Sequence, residues 1–321
     1  MTKCNGLANI LITSRFDPAT QARLQQDYVV RVWDRSQSLP AAAAGMDAIL
    51  CSPGVRLDAQ VIAELPASIR VIATYSVGYD HIDVAAAHAR SLPVVHTPGV
   101  LSSATAEFTM LLLLAAARRA GEAERLLRAG AWLGPNPQNF LGTEVSGKTL
   151  GIFGMGRIGQ ALARMASGFG IHLHYRNRTR LHESLECGAT WHASDESFLP
   201  RCQLLALTAP GTSETRHWLN AHRLALLPKG AIVVNTARGS LVDDEALAAA
   251  LRTGQVAAAG LDVFPEEPHV PELYLGLRNT VLTPHIASAT TEARAAMGAA
   301  ALDGLEAVLR GERPPNLVGR K

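Results

Sequence analysis

The stretch 149-TLGIFGMGRIGQALARMAS-167 constrains this chain more than any other. A short run with strand character, 149-TLGIF-153, enters 154-GMGRIG-159, and helical periodicity follows through residue 170. This is the strand, glycine turn and helix of a dinucleotide-binding unit, G-x-G-x-x-G. Gly154 allows the tight turn, Gly156 lets backbone approach a pyrophosphate, and Gly159 lets the helix pack close to the strand. Met155, Arg157 and Ile158 fill the turn between them, so that backbone N–H groups and the helix dipole face the anion. A strand followed by a crossover helix returns to the sheet in parallel, which commits this part of the chain to an α/β architecture.

The remaining sequence agrees with that commitment. Short β-rich runs at 8–13, 28–33, 47–52, 70–76 and 93–97 alternate with helical patterns near 19–26, 58–65 and 81–89. A second series has six candidate strands, at 149–154, 171–175, 203–208, 231–236, 258–264 and 279–285, with helices at 156–168 and 243–252 among those between. The expected fold is α/β, with two doubly wound parallel-sheet domains. A helical stretch from about 101 to 128, with Ser102 or Ser103 as N-cap and a break about Gly121, connects the two series. An amphipathic, Ala-rich helix over about 290–310 is free to return to the first domain, and 311-GERPPNLVGRK-321 reads as a tail. The domains are therefore 1–101 plus 289–321, and 102–288.

Composition narrows the classes of function. Thirty basic and 28 acidic side chains leave a net charge of +2, so no overall field favours nucleic acid or an anionic membrane. The most apolar run, 110-MLLLLAAA-117, lies between Glu107 and the pair Arg118, Arg119 and is too short to span a bilayer, so it reads as a buried helix. No secretory leader is visible at the N-terminus, and Cys4, Cys51, Cys187 and Cys202 are scattered, reading as small apolar residues in a reducing compartment. The expected location is cytoplasmic. No His, Cys or acidic group has metal-ligand spacing. His172 and His174 read as strand residues; His81, His217, His222 and His269 read as surface positions.

Just past the strand 171-IHLHY-175, where such a unit usually places an acid on the adenosine ribose, the chain reads 174-HYRNRTR-180. It is either a broken cofactor site, a nucleic-acid patch or a site for a different cofactor. Asn177 stands where an NAD-specific enzyme would carry its acid, 18 residues after Gly159. A carboxylate there would repel a 2′-phosphate by about 4 kcal/mol at 4 Å and an effective dielectric of 20. Asn177 removes that repulsion, while Arg178, Thr179 and Arg180 can hold the phosphate through guanidinium and hydroxyl groups. By strand alternation Arg176 points to the other side, as a surface charge. The reading is NADP(H), with NAD(H) bound more weakly.

Reactive groups in open α/β sheets lie at the carboxyl ends of strands. Three late strands deliver Arg238, Glu267 or its neighbour Glu266, and His285 to one edge. An arginine fork suits a substrate carboxylate, a histidine can carry the proton, and a carboxylate on the second ring nitrogen can orient that histidine. Together they suit reduction of a 2-oxo acid beside a nicotinamide.

The joint occurrence of 76-SVGYDHID-83, 154-GMGRIG-159, 235-NTARGSLVDDEAL-247, 261-LDVFPEEP-268 and 284-PHIASAT-290 resembles the D-isomer-specific 2-hydroxyacid dehydrogenases, closest to their NADPH-dependent glyoxylate/hydroxypyruvate reductases. The resemblance implies a flavodoxin-like substrate domain and an inserted Rossmann cofactor domain. It assigns substrate binding to Arg238, the acid role to Glu267 over Glu266, and proton transfer to His285. It further implies that Ser76, Val77 and Gly78 offer backbone N–H groups to the substrate, with Ser288 nearby. Thr236, Ala237, Asp262, His285 and Ala287 then line the cofactor cleft. A homodimer formed through about 101–145 is implied as well. The resemblance leaves two alternatives: a reductase of a 2-ketogluconate-type acid, or a non-catalytic NAD(P)-sensing protein of the same fold.

Overall fold

The computed structural model describes residues 7–136 and 138–319 of the 321-residue chain. They form two compact units: the chain up to Leu101 together with the stretch from Ala289 onward, and Ser102–Ser288. Cys4, Pro137 and the last two residues of the expected tail lie outside the described residues.

In the first unit β1 (Asn9–Ile12), β2 (Val29–Val32), β3 (Ala48–Cys51), β4 (Val71–Thr74) and β5 (Val94–Val95) form a parallel sheet ordered β2-β1-β3-β4-β5. Every residue of β3 and β4 is buried, as expected of parallel strands covered on both faces. The helix Thr291–Leu309 packs on β4 through one face, with Met297, Ala301 and Leu305 buried at four-residue steps. The segment after it is no loose tail. Val318 N–H donates to Val94 O at 2.8 Å, and the Asn316 amide donates to His96 O and Ala300 O. These bonds satisfy sheet-edge and helix backbone groups, a long-range use that local composition does not reveal.

The second unit holds β6 (Thr149–Phe153), β7 (His172–Arg176), β8 (Thr190–His192), β9 (Leu204–Leu207), β10 (Ala231–Asn235), β11 (Val256–Leu261) and β12 (Thr280–Leu282). All pairings are parallel, in the order β12-β11-β10-β9-β6-β7-β8. The sheet has seven strands where the sequence pattern suggests six. The additional one, β8, is a three-residue edge strand too short to carry a hydrophobic period. From β6 the chain winds first through β7 and β8, then crosses to β9 and winds the other way. The carboxyl end of β6 is therefore a topological switch point, where ligands of open α/β sheets bind.

The helix Ser102–Ala117 lies over this sheet, and its buried Leu112 is in contact range of Gly260 on β11. Its break differs from the expected one. The helix ends at Ala117, and Arg119, with φ of 53°, opens the next helix, Ala120–Arg128, which contains Gly121. The left-handed turn is made by an arginine that pairs with Glu122, so glycine is not the breaker. Ser102 and Ser103 lie inside the first helix. Among the described residues no helix is long and apolar enough to cross a membrane, and no group of His, Cys, Asp and Glu is arranged to hold a metal. Cys51 and Cys202 are buried and Cys187 is half-buried, all three free thiols.

Candidate active site

The glycine turn sits at the end of β6. Gly154 has φ of 99°, and a Cβ there would stand 2.5 Å from the Ala209 backbone, so both conformation and space demand glycine. At Gly156 a Cβ would meet nothing within 4 Å, which leaves an open cradle in front of the helix Arg157–Ser167. No side chain caps that helix, so its first-turn amides are presented to the cradle as they would be to a diphosphate. Arg157 is exposed and Ile158 half-buried at this rim. Met155 is different: its side chain is fully buried in the core, and its N–H donates to Asn177 Oδ1 at 2.7 Å. It therefore ties the glycine turn to the loop after β7.

That loop carries the basic stretch. Arg178 is 87% exposed and forms an ion pair with Glu214 at 2.8 Å. Arg180 is bound by both oxygens of Glu186, at 2.8 and 3.1 Å. Glu186 is only 5% exposed and also accepts from Tyr175 Oη at 2.7 Å. The Arg180 bonds, then the Tyr175 bond, hold its carboxyl down at about 2. Thr179 is exposed between the two arginines. Arg176 is not the surface charge that alternation suggests. Its side chain is 21% exposed and pairs at 3.3 Å with Asp195, which also binds Arg223 at 2.6 Å.

The candidate catalytic groups lie at the ends of β10, β11 and β12. Asn235, 1% exposed at the end of β10, accepts from Ala237 N–H at 3.0 Å and donates to Arg238 O at 2.8 Å, which fixes the backbone that carries Arg238. The Arg238 guanidinium donates to Ala237 O at 2.7 Å. Gly239 packs so tightly on Phe264 and Pro265 that a Cβ would overlap their backbone, and this presses the loop after β10 against the one after β11. Thr236 is buried, its hydroxyl 2.7 Å from that of Thr109.

Glu267 receives Phe264 N–H on one oxygen, at 3.0 Å, and His285 Nδ1 on the other, at 2.6 Å. Burial pushes the Glu267 carboxyl up, but the bond and charge of His285 outweigh it, and the net direction is down, with Arg238 contributing. Glu267 thus stays charged beside the imidazole and fixes its Nδ1, which leaves Nε2 as the ring nitrogen not engaged by Glu267. Glu266, by contrast, has no bond to His285 and lies in an exposed turn with His269.

His285 itself has φ of 53°, a left-handed conformation uncommon outside glycine and asparagine. Asp262 explains how it is held. Fully buried, Asp262 accepts from Thr283 Oγ1 at 2.6 Å, Ile286 N–H at 2.8 Å and Ala287 N–H at 2.8 Å, while its own carbonyl receives His285 N–H at 2.8 Å. Burial raises its carboxyl against the pull of those bonds. The acid assigned to the cofactor cleft is in this structure the keystone of the 283–287 loop. Ala287 is buried within that loop and Ser288 is half-buried at its end. Asn235 and Thr283 were legible only as polar residues at strand ends, and no motif exposes the backbone partners of Asn235 and Asp262.

In the first unit Ser76 is buried, its hydroxyl 2.7 Å from Thr74 Oγ1 and donating to Gly78 O at 2.6 Å, which braces the loop of Ser76, Val77 and Gly78. His81, expected at the surface, is partly buried with Nε2 3.0 Å from Thr74 Oγ1. His217, His222 and His269 are exposed.

The glycine turn after β6 and the group of Arg238, Glu267 and His285 lie at the carboxyl ends of strands of one sheet, and comparison with known proteins shows the family. The sequence model of the D-isomer specific 2-hydroxyacid dehydrogenase, NAD binding domain, matches residues 110–287. Glycerate dehydrogenase of Hyphomicrobium methylovorum is 43% identical over 309 residues, covering 94% of this chain and 96% of that protein. Glyoxylate reductase of Aeropyrum pernix is 43% identical over 323 residues, covering 97% and 96%. A crystal structure of NADPH-dependent glyoxylate/hydroxypyruvate reductase from Sinorhizobium meliloti, in complex with NADP and malonate, aligns with a TM-score of 0.89 at 34% identity, covering 98% of this chain and 97% of that one. The chain belongs to the D-isomer-specific 2-hydroxyacid dehydrogenase family, and is an oxidoreductase that binds a nicotinamide dinucleotide.

Proposed function

We propose that this protein reduces a small 2-oxo acid, glyoxylate or hydroxypyruvate, to the D-2-hydroxy acid with NADPH. The observation that carries the reading is the 2.6 Å bond between His285 Nδ1 and Glu267 at the same strand edge as Arg238. The cofactor, when bound, supplies the hydride. Arg238 holds the substrate carboxylate through its guanidinium fork and polarises the adjacent carbonyl. His285, oriented by Glu267, delivers a proton from Nε2 to the carbonyl oxygen as that oxygen gains charge. The Glu267 carboxylate stabilises the imidazolium before transfer, and donation of the proton leaves the imidazole neutral.

The residues present fit the dinucleotide: the open cradle at Gly156 for the diphosphate, Thr236 and Ala237 along the cleft, and Asn177 with exposed Arg178 just after β7, where the usual ribose-binding acid is replaced by an amide. The braced loop of Ser76, Val77 and Gly78 is part of the same proposal, as a source of amides for substrate. So are cytoplasmic residence and a homodimer. The dimer is supported by Leu127, Trp132, Leu133 and Leu141, all more than half exposed on the segment after the helix Ser102–Ala117. Mixing the protein with NADPH and glyoxylate or hydroxypyruvate should consume NADPH absorbance. Absence of turnover across a panel of small 2-oxo acids would remove the reading.

A further inference from the structure

The Arg178–Glu214 pair spans the cofactor end of the sheet. Arg178 lies two residues beyond β7 and Glu214 lies in the loop after β9, while β6, with the glycine turn at its end, runs between those strands. The β9 loop touches that turn directly: Thr208 Oγ1 donates to Gly154 O at 2.8 Å. Further along, the loop is braced by its own bonds, Thr212 N–H to Thr215 Oγ1 at 2.9 Å and Thr215 Oγ1 to Pro210 O at 2.7 Å. Glu214 therefore projects its carboxylate from a fixed turn toward Arg178.

The two basic positions beyond Asn177 differ in kind. Arg180 is bound twice by a carboxylate that is itself buried and held by Tyr175. The Arg178–Glu214 contact is a single bond between side chains 87% and 67% exposed. Exposed pairs of that kind are worth little in water and exchange readily, whereas a phosphate dianion offers the guanidinium several charged oxygens at once.

We propose that Glu214 is the resident anion of the 2′-phosphate subsite: it occupies Arg178 until the phosphate displaces it, and so sets how strongly the protein prefers a 2′-phosphorylated cofactor. Asn177 leaves the position just after β7 without a carboxylate, and Glu214 brings one to Arg178 from the β9 loop. The strength of the preference is then an exchange between two anions on one cation. The inference rests on the NADP reading above.

Isothermal titration of the full chain with 2′,5′-ADP and with 5′-ADP tests both without turnover. Glu214→Gln should tighten 2′,5′-ADP by about 2- to 5-fold, the range that an exposed pair is worth, and leave 5′-ADP unchanged. Arg178→Ala should weaken 2′,5′-ADP alone, and in that background Glu214→Gln should have no further effect. If Glu214→Gln leaves 2′,5′-ADP unchanged or weakens it while Arg178→Ala still weakens it, the resident-anion role is overturned and the NADP reading stands. If the wild-type protein binds both nucleotides equally and Arg178→Ala alters neither, the NADP reading itself fails.

Discussion

Two regions at the strand ends of the second unit, one around His285 and one around Arg178, are built differently. At the His285 edge, buried Asp262 and Asn235 fasten the loops through backbone bonds of 2.8 to 3.0 Å, and the reacting side chain is held in a left-handed conformation. At the Arg178 edge, the charged groups stand in water and hold one another through side chains. Proton transfer needs a donor placed to within a fraction of an ångström, which only buried, saturated hydrogen bonding provides. Selection between two cofactors needs a charge that can change partners, and an exposed ion pair allows that.

The contrast is broken most directly at the first edge. His285→Gln should lower kcat by about 10²- to 10⁴-fold while dinucleotide binding survives, since general acid catalysis has that worth. An unchanged kcat would show that another group donates the proton. Asp262→Asn comes next, because an amide NH2 would face one of the Ile286 and Ala287 N–H donors in place of an oxygen. We expect a loss of about 1–3 kcal/mol of stability per unpaired donor and a fall of about 100-fold in kcat from the misplaced imidazole. Wild-type kcat in that variant would mean that the loop holds His285 without the acid.

At the second edge the effects should be smaller and confined to one cofactor. Arg178→Ala should raise the NADPH KM by about 10-fold, the scale of one charged hydrogen bond, with the NADH KM nearly unchanged. Equal losses for both cofactors would refute the division of labour between the edges. Arg180→Ala should act on acid stability as well. The Glu186 carboxyl titrates at about 2 in the folded chain against an ordinary value of 4.5, so its contribution is complete above pH 4.5 and lost as pH falls from there toward 2. Melting temperatures measured across that window should decline less steeply in Arg180→Ala than in the wild type. An unaltered slope would show that the pair makes no contribution to folding.

Much of this was open to a reader of the sequence. Parallel strands buried on both faces must be apolar runs, and a diphosphate turn must be rich in glycine, so β6, its turn and the late strands carrying Arg238 and His285 are visible as local patterns. Glu267 stood out from Glu266 only through the family resemblance, and the bond to His285 supports that choice. Less visible were β8, too short for any period, and the helix break at Arg119, where a left-handed arginine does what Gly121 suggested. The last segment reads as a tail by composition, yet it is bonded to β5 and to the helix before it.

What the sequence by itself determined is six of the seven strands of the second unit, the glycine turn, and the polar groups delivered at the strand ends, because each is written in residues adjacent along the chain. The tertiary structure alone decided which charges are held in buried bonds and which pair in the open. Asp262 serves a loop more than 20 residues away, Arg180 belongs to Glu186, and Arg178 faces Glu214 from across β6. Burial and partner choice depend on what the fold places opposite each side chain, and no local pattern encodes that.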